Sequence, residues 1–161
     1  MAKTPEVGQP APDFTLPALQ LVDGKAVRDD RTLSQERGHP VVLAFYPGDD
    51  TTVCTKQMCS YSSGLESFTD LGATVWGISP QDIDSHEKFA TKHGLRMPLL
   101  ADTDRVAVNA YGIGLGSMLR RAVFIVDAEG IVRWKHVAAL GLTFRDVETL
   151  TKQLAALAPS A

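Results

Sequence analysis

The two cysteines of this 161-residue chain, Cys54 and Cys59, are the residues best placed to do chemistry. A cysteine becomes a nucleophile when its thiol ionises. Cys54 follows an apolar run at 41–45 and the turn residues Pro47 and Gly48, so we expect it in the first turn of a helix that begins where a buried strand ends. The unpaired N–H groups and the positive end of the helix dipole favour a thiolate there. The pattern therefore indicates a reactive cysteine.

The spacing of the two cysteines limits what they can form together. In a continuous helix, five residues correspond to about 140° of rotation and roughly 7.5 Å of rise, which places the two Cα atoms about 8.6 Å apart. A disulfide needs Cα atoms less than about 7 Å apart. The thiols can therefore pair only if the first turns of the helix unwind. On the spacing alone, the alternative of two unrelated, half-buried thiols stays open.

The composition is that of an ordinary globular protein, with 44% hydrophobic and 22% charged residues. The net charge of −3 gives no electrostatic reason to expect nucleic acid or a membrane surface as a partner. No apolar run reaches transmembrane length, and the N-terminus lacks the apolar centre of a signal peptide, so we expect a cytoplasmic protein. Such a compartment would keep both thiols reduced at rest. We expect a single domain over residues 1–161, with 159–161 as a loose tail.

Hydrophobic periodicity predicts strands and helices around the cysteines. The predicted strands are 13–16 (a short edge strand in a proline-rich arm), 27–33, 41–46, 73–78, 99–100, 122–126 and 131–137. The predicted helices are 53–71, one from Ser79-Pro80 to Gly94, one ending at Tyr111, and one over 143–157. Expected N-caps are Ser79, Asp102 or Thr103, and Thr143, which forms a capping box with Asp146. This order predicts an α/β, thioredoxin-like fold, a central mixed sheet with helices on both faces.

Other polar and glycine-rich positions are interpreted as structural. Residues 112–116, G-I-G-L-G, follow a helix rather than a strand, so we predict a flexible loop and not a phosphate-binding turn. Asp49 and Asp50 are predicted to be solvated turn residues. The scattered histidines have no spacing that makes a metal site with the cysteines, so neither a metal nor another cofactor is expected.

The residues around the cysteines, and motifs along most of the chain, resemble one family. Y-P-G-D-D-T-T-V-C is similar to the peroxidatic motif of peroxiredoxins. C-T-K-Q-M-C resembles the bacterioferritin-comigratory, or PrxQ, branch, in which the resolving cysteine lies five residues after the peroxidatic one. Further segments occur in family order: G-Q-P-A-P-D-F-T-L-P, S-H-E-K-F-A-T-K-H-G-L, P-L-L-A-D, Y-G-I and R-R-A-V-F-I-V-D-A-E-G.

The resemblance implies a thiol peroxidase that reduces hydrogen peroxide and organic hydroperoxides. It implies that Cys54 is the peroxidatic nucleophile and Cys59 the resolving thiol. Thr51 would hydrogen-bond the thiolate and the peroxide, and Pro47 would shield the pocket from water. Arg121 stands where the family has its arginine, three residues before the Phe of F-I-V-D, and would favour the thiolate and hold the peroxide oxygens.

The implied cycle has three steps. The thiolate of Cys54 becomes a sulfenic acid, Cys59 condenses with it to a disulfide after the helix unwinds, and a thioredoxin-type dithiol reduces that disulfide. We expect a monomer, since both thiols lie in one helix. Two departures from the branch, Gln57 where Glu is frequent and Ser63 where Asp is frequent, affect the local charge and partner preference rather than the reaction.

The sequence also suggests a competing arginine and two competing functions. Arg120 competes with Arg121, although on a strand the two side chains face opposite ways. An oxidoreductase acting on protein disulfides would need C-x-x-C, which this chain lacks. A peroxide sensor would use the same Cys54 but pass its oxidation to a partner, and only turnover with a reductant separates it from a peroxidase.

Overall fold

The computed structural model describes residues 3–49, 51–138 and 144–157. The strands are β1 Thr15–Val22, β2 Lys25–Thr32, β3 Val41–Phe45, β4 Thr74–Ser79, β5 Leu99–Ala101, β6 Gly114–Leu115, β7 Met118–Leu119, β8 Ala122–Val126 and β9 Val132–Val137. The helices are α1 Thr52–Ser63, α2 Leu65–Asp70, α3 Ile83–His93, α4 Val106–Ala110 and α5 Val147–Ala155, with a 3-10 turn at Leu33–Glu36.

Within the described ranges, seven strands form one sheet in the order β2-β1-β5-β4-β3-β8-β9. β3, β4 and β5 are parallel to one another, whereas β1 pairs antiparallel with β2 and β5, and β8 pairs antiparallel with β3 and β9. The predicted mixed sheet is therefore confirmed. β3 lies near the centre, and each of its five residues is buried, as its uninterrupted apolar sequence indicates.

Helices cover both faces of this sheet, as predicted. Successive residues of β3 point to opposite faces, so Val42 and Ala44 join one core while Leu43 and Phe45 join the other. The first core is covered by α1, α2, α3 and α5 through buried side chains that include Met58, Tyr61, Phe68, Phe89 and Leu150. The second is covered by α4 and the N-terminal arm, with buried side chains that include Phe14, Trp76, Tyr111 and Phe124.

The predicted helix over 53–71 is wrong in one respect, because the structure divides it into α1 and α2 at Gly64. The backbone N–H of Gly64 donates to the carbonyl of Ser60 and closes α1. A Cβ at Gly64 would stand 2.9 Å from both Cγ atoms of Val147 at the start of α5. The break therefore lies where α5 packs against the α1–α2 junction.

Two predicted N-caps are also wrong. α3 begins after Asp82, whose Oδ1 accepts from the backbone N–H of Ser85 at 2.8 Å, whereas Ser79 is the last residue of β4. α4 begins after Arg105, which has φ of 58°. Asp102 satisfies a later helix donor instead.

The Oδ2 atom of Asp102 accepts from the N–H of Val108 at 2.8 Å. The N-cap of α5 is Asp146, whose Oδ1 accepts from Thr149 N at 2.8 Å. Its predicted partner Thr143, like Asp50 and residues 159–161, lies outside the described residues.

Two other segments differ from the prediction. β1 runs from Thr15 to Val22 and lies between β2 and β5, so it is not a short edge strand. The glycine-rich segment predicted as a flexible loop contributes Gly114–Leu115 to a hairpin with Met118–Leu119. The guanidinium of Arg105 donates to backbone carbonyls of 116–118 and braces that hairpin. No helix among the described residues is both long and apolar enough to cross a membrane.

Candidate active site

Cys54 lies in the first turn of α1, at the carboxyl end of β3, and its side chain is fully buried. Thr51 precedes the helix in an extended conformation, and its carbonyl accepts the first helical bond from Thr55 N at 2.8 Å. The first N–H groups of an α-helix have no partner within it. The sequence predicted this placement, which exposes the thiol to the positive end of the helix dipole.

Arg121 brings a fixed positive charge to the same thiol. It immediately precedes β8, and the register of β8 sets Ala122 opposite Phe45, so Arg121 lies beside the end of β3. Arg121 is 3% exposed, and its Nη2 donates to Cys54 Sγ at 2.8 Å. Arg120 is exposed. Of the two candidate arginines, the structure therefore brings Arg121 to the cysteine. A hydrogen bond from a guanidinium to an ionised sulfur is of the stronger, charge-assisted kind.

Gln57 also belongs to this cluster. It is fully buried one helical turn after Cys54, and its Oε1 accepts from Nη1 of Arg121. Its Nε2 donates to the hydroxyl of Tyr61 at 3.3 Å, and that hydroxyl donates to the carbonyl of Arg145 at 2.6 Å. Sequence reasoning noted Gln57 only as a departure from a family pattern. Its position three residues after Cys54 places the two side chains on the same face of a helix, and this spacing could have identified Gln57 from the sequence.

Cys59 occupies the second half of α1. It is half-buried against the core below the helix, and both cysteines are free thiols. Burial raises the pKa of the Cys59 thiol. Because α1 is continuous from Thr52 to Ser63, the geometry of an unbroken helix applies, and a Cys54–Cys59 disulfide requires the helix to unwind.

Thr51 and Pro47 lie in the loop between β3 and α1. The hydroxyl of Thr51 donates to the carbonyl of Gly48 at 3.4 Å, and Thr51 is exposed. Pro47 is half-buried between the buried residues Tyr46 and Gly48. Their roles toward thiolate, peroxide and water stay predictions.

Asp49 was predicted to be a solvated turn residue, and this is wrong. Its side chain is only 4% exposed and accepts from Tyr46 Oη, Ser85 Oγ and His86 Nδ1, each at 2.7 Å. The other ring nitrogen of His86 lies 2.9 Å from the carbonyl of Leu100. His86 therefore bridges the Asp49 side chain and the backbone of β5.

The Asp49–His86 pair therefore ties the loop before α1 to α3 and β5. Burial and the nearby Asp49 carboxylate raise the pKa of Tyr46, which keeps its hydroxyl a donor. Elsewhere in the described ranges, as here, no three His, Cys, Asp or Glu side chains group in a way that could hold a metal ion.

Residues 7–135 match the AhpC/TSA family. The chain belongs to that family. Peroxiredoxin Q from Oryza sativa subsp. japonica, a chloroplastic protein, is 38% identical over 130 residues, which are 79% of this chain and 57% of that protein. Peroxiredoxin Bcp from Bacillus subtilis is 34% identical over 160 residues, covering 89% of this chain and 98% of that protein. The resemblance to the Bcp and PrxQ branch is thus confirmed.

The fold agrees with the family. The crystal structure of reduced 2-Cys peroxiredoxin from Plasmodium vivax matches with a TM-score of 0.84 and 25% sequence identity, covering 94% of this chain and 81% of that one. The chain spans about three fifths of the length of the plant relatives it matches.

Proposed function

We propose that this AhpC/TSA-family chain is a thiol-dependent peroxidase that reduces hydrogen peroxide and organic hydroperoxides. The observation that carries the proposal is the buried contact between Arg121 Nη2 and Cys54 Sγ at the start of α1. A guanidinium and a helix N-terminus at one sulfur both favour the thiolate, which is the form that attacks a peroxide.

In the first step, the Cys54 thiolate attacks the terminal oxygen of the peroxide and the O–O bond breaks. The sulfur is oxidised to a sulfenic acid, and the other oxygen leaves as hydroxide or alkoxide and takes a proton to become water or an alcohol. Negative charge moves from sulfur to the leaving oxygen. We propose that Arg121, the unpaired N–H groups at the start of α1 and the Thr51 hydroxyl donate to the reacting oxygens and stabilise this shift.

In the second step, Cys59 attacks the sulfur of the Cys54 sulfenic acid, so that an S–S bond forms and water leaves. α1 must unwind between the two cysteines for this attack. A thioredoxin-type dithiol then reduces the disulfide by exchange and becomes oxidised itself. Since both thiols belong to one chain, the cycle needs no second subunit, and we propose a monomer. A dimer mass in sedimentation at micromolar concentration would contradict that.

Rapid mixing tests the proposal. One equivalent of hydrogen peroxide added to reduced protein should consume both thiols within seconds, whereas Cys59→Ser should stop at a sulfenic acid on Cys54. Cys54→Ser is the control and should lose the fast reaction. Oxidation no faster than that of an exposed thiol would overturn the proposal. A fast first reaction without turnover when thioredoxin and its reductase are supplied would favour the peroxide sensor instead.

A further inference from the structure

We infer that Arg96 is a positioning residue for the resolving step, because it holds the last turn of α1 and thereby restrains the unwinding that disulfide formation needs. The inference rests on the proposed function, in which Cys54 and Cys59 must come together. Arg96 contacts Ser62, which lies three residues after Cys59 in α1. These contacts therefore act on the part of the helix that carries the resolving thiol.

Arg96 binds the end of α1 with both its backbone and its side chain. Its backbone N–H donates to Ser62 Oγ at 2.9 Å, and its Nη2 donates to the carbonyl of Ser62 at 2.7 Å. Ser62 is 5% exposed, so water competes little for these bonds. The same guanidinium donates to the carboxylate of Glu66 at 2.6 and 3.2 Å. One arginine thus joins the last turn of α1 to the first turn of α2.

This contact supplies a charge that α1 lacks in its own sequence. The last carbonyl groups of a helix have no partner within it and form the negative end of its dipole, so a cation placed there stabilises the helix. α1 has no basic residue in its last turn. Arg96 brings the cation from the loop between α3 and β5, 34 residues after Ser62.

The loop that carries Arg96 is fixed to the core. Its neighbours Leu95 and Met97 are fully buried in the core that α1 covers. The carbonyl of Arg96 accepts from Gln20 Nε2 in β1 at 3.1 Å. A contact restrains a helix only if its other end does not move with that helix. Arg96 meets this condition, because its backbone lies between two core residues and is bonded to the sheet.

The two ends of α1 are therefore held by different groups. At the first turn, Arg121 donates to Cys54, the sulfur that reacts. Oxidation of Cys54 to a sulfenic acid removes the negative charge that faces Arg121, whereas the contacts of Arg96 stay the same. We expect unwinding to start at Cys54 and to be opposed from the other end by Arg96. The strength of the Arg96 contacts then sets how quickly Cys59 reaches the sulfenic acid.

The test measures two steps in the Arg96→Met variant, the formation of the Cys54 sulfenic acid and the formation of the disulfide. Rapid quenching after one equivalent of hydrogen peroxide, followed by mass spectrometry, separates them. Arg28→Met is the matched control, because the Arg28 side chain is 46% exposed against 48% for Arg96 and binds two carboxylates on α3. Hydrogen exchange of the reduced proteins and their thermal unfolding are recorded as well.

We expect Arg96→Met to speed disulfide formation about three- to tenfold, because unwinding no longer breaks the guanidinium contacts. Formation of the sulfenic acid should stay within about twofold of the wild type, since Arg96 acts at the other end of the helix from Cys54. In the reduced variant, amides of the last two turns of α1 should exchange faster. Glu66→Gln, which leaves the bonds to Ser62, should have a smaller effect, and Arg28→Met should change neither step.

Two results would overturn the inference. One is disulfide formation in Arg96→Met that is no faster than in Arg28→Met. The other is equal exchange of the α1 amides in these two variants, and a lowered unfolding temperature beside it would make Arg96 merely structural. Hydrogen exchange of the reduced protein uses no peroxide, so it tests the restraint separately from the proposed function. That function fails if the wild type reacts with peroxide no faster than an exposed thiol.

Discussion

At the scale of single residues, we expect the reactivity of Cys54 to depend most on the side chain of Arg121. Its planar guanidinium contacts Cys54 and Gln57 with two different nitrogens, a geometry that a lysine ammonium cannot reproduce. We expect Arg121→Met to slow oxidation by hydrogen peroxide roughly 10²- to 10³-fold, with Arg121→Lys between that variant and the wild type. Stopped-flow tryptophan fluorescence measures the rate.

The neighbouring Arg120→Met variant is the matched control, because Arg120 is exposed. It should react within about twofold of the wild type, as surface substitutions usually do little. The role of Arg121 would be refuted if the two methionine variants reacted equally fast.

A second residue-scale prediction concerns the pH dependence of disulfide formation. Burial raises the pKa of Cys59 in the intact helix, so ionisation of this thiol favours the unwound helix. The stability that the un-ionised Cys59 thiol gives to the intact helix is fully present below the ordinary thiol pKa. It is lost as pH rises through the raised pKa of Cys59. We expect the rate of disulfide formation after one equivalent of peroxide to increase with pH and to level off near about 8.5, the value of an exposed thiol.

A plateau well above that range would mean that Cys59 attacks from its buried position, without prior unwinding. Thiol counting in acid-quenched samples gives the rate at each pH. Cys59→Ser, which cannot form the disulfide, provides the baseline.

The parts of the site that could be predicted from the sequence are those whose positions depend only on neighbouring residues in the chain. Cys54 at the start of a helix was predictable because a strand, a turn and helical spacing follow one another along the chain. Asp49 was not, since its burial depends on His86 and Ser85, which approach from α3. Gln57 likewise acquires its meaning from Arg121, 64 residues away in sequence. Contacts between distant segments leave no periodic signal.

At the scale of elements, the Asp49–His86 pair fixes the loop that carries Pro47 and Thr51. Asp49→Ala would leave the buried His86 ring and the Tyr46 and Ser85 hydroxyls without their shared acceptor, and each buried polar group left unsatisfied costs about 1–3 kcal/mol. We expect a lower free energy of unfolding in urea and a slower peroxide reaction, because the loop before α1 loses its tie to α3. Asp84→Ala, which removes an exposed ion pair with Arg28, should leave both nearly unchanged. Equal effects of the two substitutions would contradict this assignment.

A glycine in β4 controls how closely α1 approaches the sheet. A Cβ at Gly77 would stand 2.8 Å from Leu99 Cδ2 and 3.1 Å from Met58 Sδ, both buried. We expect Gly77→Ala to reduce the free energy of unfolding by about 1–3 kcal/mol, as overpacking does, measured by urea denaturation. Gly48→Ala is the comparison, since its Cβ would meet nothing nearer than 3.7 Å. A stability of Gly77→Ala equal to that of the wild type would show that the helix can move away.

The elements themselves were largely predictable, because runs such as Val41–Phe45 and Ala122–Val126 are apolar throughout, and buried positions such as Phe89 and Ala90 lie three and four residues after His86, which is helical spacing. Two of the errors come from packing and strand pairing. The end of α1 at Gly64 reflects the packing of α5, which is distant in sequence, and the extension of β1 to Val22 reflects its pairing with β2 in a hairpin. The periodicity of a single segment shows neither kind of contact.

For the whole molecule, the proposed cycle predicts a rigid sheet and a helix, α1, that must move. Met58 and Tyr61 are fully buried and hold α1 to the core, whereas disulfide formation requires α1 to unwind between the cysteines. We expect hydrogen exchange of amides in Thr52–Ser63 to be faster in the disulfide form than in the dithiol form, with β3 and β4 unchanged in both. Cys59→Ser oxidised to the sulfenic acid should exchange like the dithiol, because it has no reason to unwind. Equal protection of α1 in dithiol and disulfide would refute the unwinding step, and a loss of protection that extended to β3 would show that the sheet does not stay rigid while the helix rearranges.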